Sequence, residues 1–561
     1  MIKKIIQTLT LFVIFCITTI KIYADVLPRN DFKNIKVAIS NNDFSSIKYK
    51  EIIISATDEW QIFDEDTKQI ILYARPGQKY KIIIKAGLFD IYENNILVCD
   101  MLSGPLRITT QKDGFLKIDN LKRKSQDALY RGEFRIERVK SKIDEFYLIN
   151  NVELQQYLYS VVPNEMPVNF GLEALKAQAV TARNYALRPR TNNVNSQYDV
   201  TDNTDSQVYF GKNTEHSVST RAVDETNNIV ALNSGQIILA LYHSTSGGMT
   251  ENYENAFNRP GTKIFPANPL PYLKAVSDIE EIQSLEKDDD AAAFYKSFPK
   301  TFENTSPYFR WTKVWDKDEL SQILNLTLKQ MANCGFIAKM MPYNDELGEL
   351  KEIKVLQRGK SGKIVKMSII GDKNVFMVEK ELVIRKLFLK DGKILPSANV
   401  VFDSIYDEDG NLAEIDAFGG GYGHGVGMSQ FGAGYLAKNN KSFEYILHHY
   451  YKNIQLSTIP VFLDTNKQSE ITQSFYTHNK KVLLKLENAK ASDNLAVKIN
   501  NSDIGKLKIP AVTPKIIVYD ISNFINDGLN KITYQISDAS NFKNTVKLYL
   551  EFDESESIGA N

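Results

Sequence analysis

Short runs in which apolar and polar residues alternate fill the first stretch of the chain: IKVAIS, EIIISA, KYKIIIKAG and GPLRITT, separated by clusters of Gly, Asn and Asp. Alternation with period two marks a half-buried strand, because successive side chains point to opposite faces. Residues 25–125 therefore predict a β-rich module. No charged or aromatic constellation in it suggests catalysis, so its expected role is structural or carbohydrate-adhering. After YRGEFRI and FYLINN the period changes. Val152, Leu154, Leu158 and Val161 are spaced for a short helix, which Pro163 is expected to end. The stretch GLEALKAQAVTARNYAL predicts a second helix with Leu172, Leu175, Ala179, Ala182 and Ala186 on one face, the alanines being small enough for close packing of backbones. Strand-and-turn character returns over residues 199–275, and EKDDD at 286–290 reads as a solvated loop. Helical spacing around DELSQIL precedes strand-like EIKVLQRG, IVKMSIIG and FMVEKELVIRKLF. From KVLLKLE to VKLYLEF, alternating runs recur at intervals of roughly a dozen residues with polar turns between them, which predicts a small β-sandwich over 466–556. The fold class expected is α+β: a mixed α/β region at 126–460, flanked by the N-terminal β-rich module and the C-terminal β-sandwich.

A chain of 561 residues exceeds one ordinary hydrophobic core and implies about two to four domains. The 68 basic and 68 acidic residues cancel, so no electrostatic footprint points to nucleic acid or to an anionic membrane surface. Lys3 and Lys4, the apolar run LFVIFCITTI and Ala24 make residues 1–24 an expected export signal. This places the protein outside the cytoplasmic membrane, in periplasm, cell wall or medium. The apolar run is short for a membrane span, and an uncleaved anchor is the alternative, the one contact with membrane foreseen. Phe15 before Cys16 argues against lipidation. Cys99 and Cys334 read as two small buried apolar side chains, with a disulfide between them as the alternative.

Four stretches carry candidate chemistry. In VVPNEMP, Glu165 sits between Pro163 and Pro167, which restrict the backbone around one carboxylate. Val161, Val162 and Met166 lower the local polarity and favour the protonated form, as a general acid near neutral pH requires; an ordinary surface Glu on a turn is the alternative. In DVTDNTDSQVYFG, Asp199, Asp202, Asp205 and Gln207 invite a calcium reading, but the spacing does not reproduce a calcium loop and Asx-turns are favoured. In YHSTSGGMTENYENAF, His243, Ser244, Ser246, Thr250 and Glu251 surround a Gly-Gly turn; a Ser–His nucleophile is one reading, a polar loop offered to a sugar the other. In FGGGYGHGVGMSQFGAGY, glycine occupies positions 419, 421, 423, 425 and 427. If extended, this run puts bare backbone on one face and Tyr422, His424, Val426 and Met428 on the other. It then serves either close approach of a flat ligand or a tight crossing of chain segments.

Taken in order, YLYSVVPNEMPVNFGLEALKAQAVTARNYAL, DVTDNTDSQVYFG, ALYHSTSGGMTENYENAF, PYLKAV, GYGHGVGMSQFGAGYLA and ILHHYYKNI strongly resemble the SpoIID/LytB family of peptidoglycan-acting proteins. With weaker echoes between them, the likeness runs from about residue 130 to 457, more than half of the chain. It implies a lytic transglycosylase that cuts denuded glycan strands, with Glu165 of the E-M-P motif as the single catalytic carboxyl. It further implies saccharide contacts from Gln207, His243, Ser244, Ser246, Thr250, Glu251, Tyr422, His424 and Gln430. Arg183, outside the apolar stripe of its helix, either supports Glu165, binds the glycan or is a solvated surface residue. Some members carry Cys and His before the Q-V-Y motif and bind zinc there; this chain has Asn203, Asp205 and Ser206, so no metal and no cofactor are expected. LytB-type members are regarded as amidase modifiers, so the competing expectation is a peptidoglycan-binding protein that enhances an amidase without cutting glycan.

Overall fold

The computed structural model describes residues 33–188, 197–279 and 282–464 and, of the C-terminal part, 469–478, 481–489, 493–500, 502–507, 515–538 and 545–552. The expected export signal at 1–24 lies outside the described residues. Strand outweighs helix and the two are segregated, which makes the fold α+β.

Two antiparallel sheets form the N-terminal part. One has its central strands at Asn34–Ala38, Phe146–Glu153, Glu133–Arg138, Leu106–Thr110 and Trp60–Asp64; the other runs from Gln126–Tyr130 through Leu116–Arg123, Glu51–Ala56 and Tyr80–Lys85 to Leu88–Glu93 and Ile96–Leu102. Alternate residues such as Ile52, Ile54, Ile82 and Ile108 point into a shared core. Trp60 meets Tyr80 edge-on at 5.6 Å, and Phe89 meets Phe146 at 5.8 Å, joining the sheets. These sheets continue to Glu153, past the boundary at 125 that the alternation suggested, because the strands after 125 complete both of them.

Among the described residues the α-helices are α1 (Leu154–Glu165), α2 (Leu172–Leu187), α3 (Ser217–Asp224), α4 (Tyr253–Ala256), α5 (Asp288–Tyr295), α6 (Lys317–Gln330), α7 (Glu381–Leu387), α8 (Gln430–Lys438) and α9 (Phe443–Tyr450). Helix α1 buries Leu154, Tyr157, Leu158, Val161 and Val162 along one stripe and runs through Pro163 to Glu165. Pro163 does not end it. Pro167 does, by holding Met166 in the extended region at φ −125° and ψ 132°. Helix α2 is buried on every side from Ala174 to Asn184, not along one stripe, because α1, α3, α8, α9 and the strand Ile229–Asn233 surround it. Several of its polar residues bond to surrounding backbone; Asn184, for example, both donates to and accepts from the backbone of Ala231, at 2.7 and 2.9 Å, whereas the buried Gln178 Nε2 has no partner among the described residues. The aspartates of EKDDD are the first turn of α5 and not a loop, a position where carboxylates complement the helix dipole.

Between α5 and α8 a second core forms around Trp315, Leu320, Leu324, Ile369, Val378 and Ile384. In the C-terminal part, Val482, Leu484 and Leu486 from one sheet and Leu495, Val497 and Ile499 from another face a common core. The first of these sheets includes Ile229–Asn233, paired to Gln455–Thr458, so the C-terminal strands extend a sheet that also backs α2. Cys99 and Cys334 are free and part-buried, in separate clusters.

Candidate active site

Glu165 closes α1, and three segments that are distant in sequence meet around it. Val208 donates its backbone N–H to Glu165 Oε1 at 2.6 Å, and the Tyr242 hydroxyl bonds the same carboxyl group. Gln430, at the start of α8, donates to the Glu165 carbonyl at 2.9 Å. Burial pushes the carboxyl above the ordinary glutamate range, opposed by the Val208 N–H and the Tyr242 hydroxyl. Among the described residues no charged neighbour contributes to this balance. The site therefore holds one weakly acidic carboxyl, with two donors ready for its ionised form.

Those donors are positioned from behind. Gln207 is fully buried; its Nε2 donates to the Tyr242 hydroxyl at 3.2 Å and to the Ala182 carbonyl at 3.3 Å, while its Oε1 accepts from Tyr157 at 3.2 Å. With Gln207 donating to it, the Tyr242 oxygen acts as acceptor there and its proton is free for Glu165. Gln430 also donates to Gln178 Oε1 at 3.3 Å, tying α8 to the buried helix α2.

The glycine-rich stretch explains how Tyr242 and Gln430 come to one place. It is not an alternating strand: Gly421, Gly423, Gly425 and Gly427 lie at φ +88°, +104°, +73° and +77°, so the chain turns at every second residue. Its bare face meets the segment 241–246. A side chain at Gly421 would lie 2.8 Å from the Ser246 carbonyl oxygen, and one at Gly427 would collide with the carbonyl of Leu241. The two segments consequently zip together. Thr245 and Tyr422 exchange backbone bonds, Met428 N–H donates to Leu241 at 3.1 Å, and Tyr242–His243 pairs in parallel with Met428–Ser429. Of the two roles expected for the run, the crossing of chain segments is the one its contacts serve.

A buried carboxylate clamps the same junction. Glu303 accepts from the backbone N–H groups of Ser246, Gly247 and Gly248 at 2.6, 2.7 and 2.8 Å, and from the hydroxyls of Ser246 and Ser429. Burial, reinforced by repulsion from Asp278, pushes it up to about 7 against these hydrogen bonds.

Several expected saccharide contacts face inward instead. Arg183 is 1% exposed and donates to the carbonyls of Ile229 and Val223 and to Gln155, so it neither touches Glu165 nor meets solvent; burial lowers its guanidinium to about 9. His243 is buried with Nδ1 against the Val426 carbonyl, and burial holds it well below its usual range. His424 Nδ1 accepts from Val426 N–H at 3.0 Å, and burial, with Lys363 and Arg385 nearby, lowers its pKa to about 3. Both imidazoles are thus neutral, 5.5 Å apart, His243 buried and His424 part-buried. Ser246 is bound to Glu303, Thr250 to Val276, and Glu251 to the loop at Lys360 and Ser361. Ser244 contributes mainly its carbonyl, which accepts from Phe431 N–H at 3.1 Å. Tyr422 alone of this group is well exposed, its ring 4.3 Å from that of Tyr308. In the aspartate-rich loop, Asp202 forms a buried ion pair with Arg123 at 2.7 Å and Asp199 accepts from Lys36 N–H at 3.0 Å, while Asn203 and Ser206 bond within the loop. Among the described residues no cluster of three or more His, Cys, Asp or Glu is placed to hold a metal. Tyr242, the Val208 N–H and Glu303 were not foreseen. Only the YH pair before STSGG hinted at Tyr242.

Comparison with known proteins bears on the same segments. Residues 142–232 match the family model described as Stage II sporulation protein, SpoIID, and residues 260–427 match a domain of unknown function, DUF8618. Over 309 residues the chain is 28% identical to the amidase enhancer of Bacillus subtilis (strain 168), covering 54% of this chain and 40% of that one. It is 27% identical over 331 residues to the stage II sporulation protein D of the same organism, covering 56% and 78% respectively. An uncharacterized protein of Brachyspira hyodysenteriae is 28% identical over 315 residues, 69% of its length. The SpoIID model thus matches the region that holds Glu165, Gln207 and the helix between them, and similarity to stage II sporulation protein D over more than half of the chain supports a likeness to the SpoIID family.

Proposed function

We propose that this protein is an exported peptidoglycan lytic transglycosylase that cleaves denuded glycan strands between N-acetylmuramic acid and N-acetylglucosamine and leaves 1,6-anhydromuramyl ends. The observation that carries this reading is Glu165: a carboxyl raised by burial, with two hydrogen-bond donors and no second carboxylate acting on it. A protonated Glu165 gives its proton to the glycosidic oxygen as the bond from that oxygen to the muramyl anomeric carbon breaks. The carboxylate, held by Val208 N–H and Tyr242, then takes the proton of the muramyl C6 hydroxyl as its oxygen closes on the anomeric carbon. Glu165 ends protonated, no water is consumed and no second acid is needed. A two-carboxylate hydrolase would require a partner within about 5–10 Å.

Glu165→Gln keeps the size and removes the titratable proton, so cleavage should fall at least ~100-fold while glycan binding largely persists. Mass spectrometry of the soluble products from amidase-treated sacculi distinguishes anhydro ends from reducing ends by the mass of one water. Reducing ends alone would overturn the mechanism. Similarity to the amidase enhancer supports a second reading, a glycan-binding protein that stimulates an N-acetylmuramoyl-L-alanine amidase. Intact, glycan-binding protein that releases no product but accelerates a purified amidase would favour it.

A further inference from the structure

A groove of about 600 Å³ opens beside the Val208 segment, between two tight turns of the N-terminal sheets. Phe44 and Phe210 form one wall, their rings 5.6 Å apart, and Lys122, Lys124 and Ser125 line the other. Phe44 is held in place from within. The guanidinium of Arg123 lies 4.6 Å from its ring centroid, and Arg123 is itself buried, donating to Asp202 at 2.7 Å and to the Ser40 carbonyl at 2.6 Å. Lys124 Nζ stands 6.0 Å from the Phe210 ring, and no carboxylate among the described residues pairs with it. Lys122 is held by Asp127, which Lys117 also neutralises.

The backbone around this groove is strained. Phe44 adopts φ +60°, and Lys124 and Ser125, the two central residues of a hairpin turn, adopt φ +47° and +65°. Non-glycine residues seldom occupy this region, and an aromatic one hardly ever. Such strain persists where the surroundings enforce it, and it concentrates at ligand sites. Asn42 supplies the enforcement, accepting from Lys122 N–H at 2.8 Å and donating to the Asn120 carbonyl at 3.1 Å, which docks the Phe44 turn on the hairpin. The groove is also tied to the reacting carboxyl. Phe210 lies two residues, at most about 7 Å of chain, beyond Val208. Its own N–H is held by Ser160 of α1 at 3.1 Å.

An aromatic pair, Phe44 exposed and Phe210 part-buried, flanked by cations fits a sugar ring that carries a carboxylate. In a glycan strand stripped of its peptides, every muramyl residue has a free lactyl carboxylate; where the peptide remains, that group is an uncharged amide. We propose that this groove is a saccharide subsite that selects denuded glycan, Phe44 and Phe210 packing on the ring and Lys124, with Lys122, meeting the lactyl carboxylate. The inference rests on the glycan-directed reading above and adds the feature of the strand that is recognised.

Binding is best measured in a Glu165→Gln background, so that nothing is cleaved, with two probes: a denuded GlcNAc–MurNAc tetrasaccharide and the neutral GlcNAc tetramer. Asparagine replaces Phe44 and Lys124 because it tolerates the left-handed backbone. Lys122→Ala/Lys124→Asn should weaken the denuded probe about 3- to 10-fold, the worth of exposed ion pairs, and leave the neutral one unchanged. The loss should shrink as salt is raised. Phe44→Asn should weaken both probes. Equal effects of the lysine substitutions on both probes, or none on the denuded probe, would overturn the subsite while leaving the glycan reading intact. Failure of the Glu165→Gln protein to bind either probe would overturn both.

Discussion

Replacing Tyr242 by Phe tests the site most directly, because it removes one oxygen and almost nothing else. The hydroxyl is one of two donors to the Glu165 carboxyl, and Gln207 Nε2, which loses an acceptor, still has the Ala182 carbonyl at 3.3 Å. A hydrogen bond to an ionised group is worth about 1.5–3 kcal/mol net. At 1.36 kcal/mol per unit, losing it should raise the Glu165 pKa by a further ~1–2 units. The sign follows from the burial of the group. Its folded pKa already lies above the unfolded one, so the general acid stays protonated to higher pH, and the stability it contributes is present at low pH and lost as pH rises through the folded value. In Tyr242→Phe the falling limb of kcat/KM against pH should move upward by those ~1–2 units. The maximal rate should drop by about 10- to 100-fold, since the carboxylate left after proton transfer has lost a donor. The assay is release of soluble glycan from amidase-treated sacculi across pH 4–9 (about one point per half unit, enough to resolve a one-unit shift), with Glu165→Gln as the blank. A limb that stays in place or moves to lower pH in a folded variant would refute the role given to Tyr242.

Glu303→Gln should destabilise the protein by ~1–3 kcal/mol in urea denaturation, because an amide presents one acceptor and one donor to a cradle made of five donors. The wild-type stability due to Glu303 is fully present below the unfolded carboxyl pKa and lost as pH rises through about 7, so that downward slope should be absent in the variant. Gly427→Ala and Gly425→Ala both place a side chain at positive φ, a shared cost of about 1–2 kcal/mol. Calorimetry should find Gly427→Ala much the more damaging, since its methyl meets the rigid Leu241 carbonyl, whereas the nearest atom to that of Gly425 is the tip of Lys363 at 3.4 Å.

Much of the fold was legible because one physical rule produced it. A strand with one dry face must alternate; KIIIK does so throughout, and IKVAI and EIIISA do so until their last three residues, which are all buried. Helix α2 was legible as a helix but not as a buried one; its alanines allow close approach on every side, and only the assembled neighbours reveal that all sides are used. The same limit hid Arg183. Its place outside an apolar stripe suggested solvent, yet it meets the carbonyl ends of Val223 and Ile229. EKDDD could not be assigned from composition, since a solvated loop and the first turn of a helix both favour aspartate. The joining of the C-terminal strands to Ile229–Asn233 is a pairing between remote segments, which no local pattern encodes.

Glu165 was marked by a local restraint, from Pro167 and the apolar residues of its own helix, but an ordinary surface Glu fitted that pattern too and only the family resemblance set it apart. The groups that set its chemistry could not, because their placement depends on a parallel pairing only two residues long, Tyr242–His243 with Met428–Ser429. Glycine at every second position imitates strand periodicity while the φ values repeat a turn, so the pattern was visible and its geometry was not. The consequence reaches the Glu165 carboxyl. With glycines bare enough to let the 420–428 segment lie on 241–246, and Glu303 clamping Ser246 to Ser429, one side of the junction delivers the Tyr242 hydroxyl to the Glu165 carboxyl. The other side delivers Gln430 to the Glu165 carbonyl. The side chain and the backbone of a single residue are thereby held by two strands that are themselves locked together, which leaves the glutamate little freedom except to gain or lose a proton.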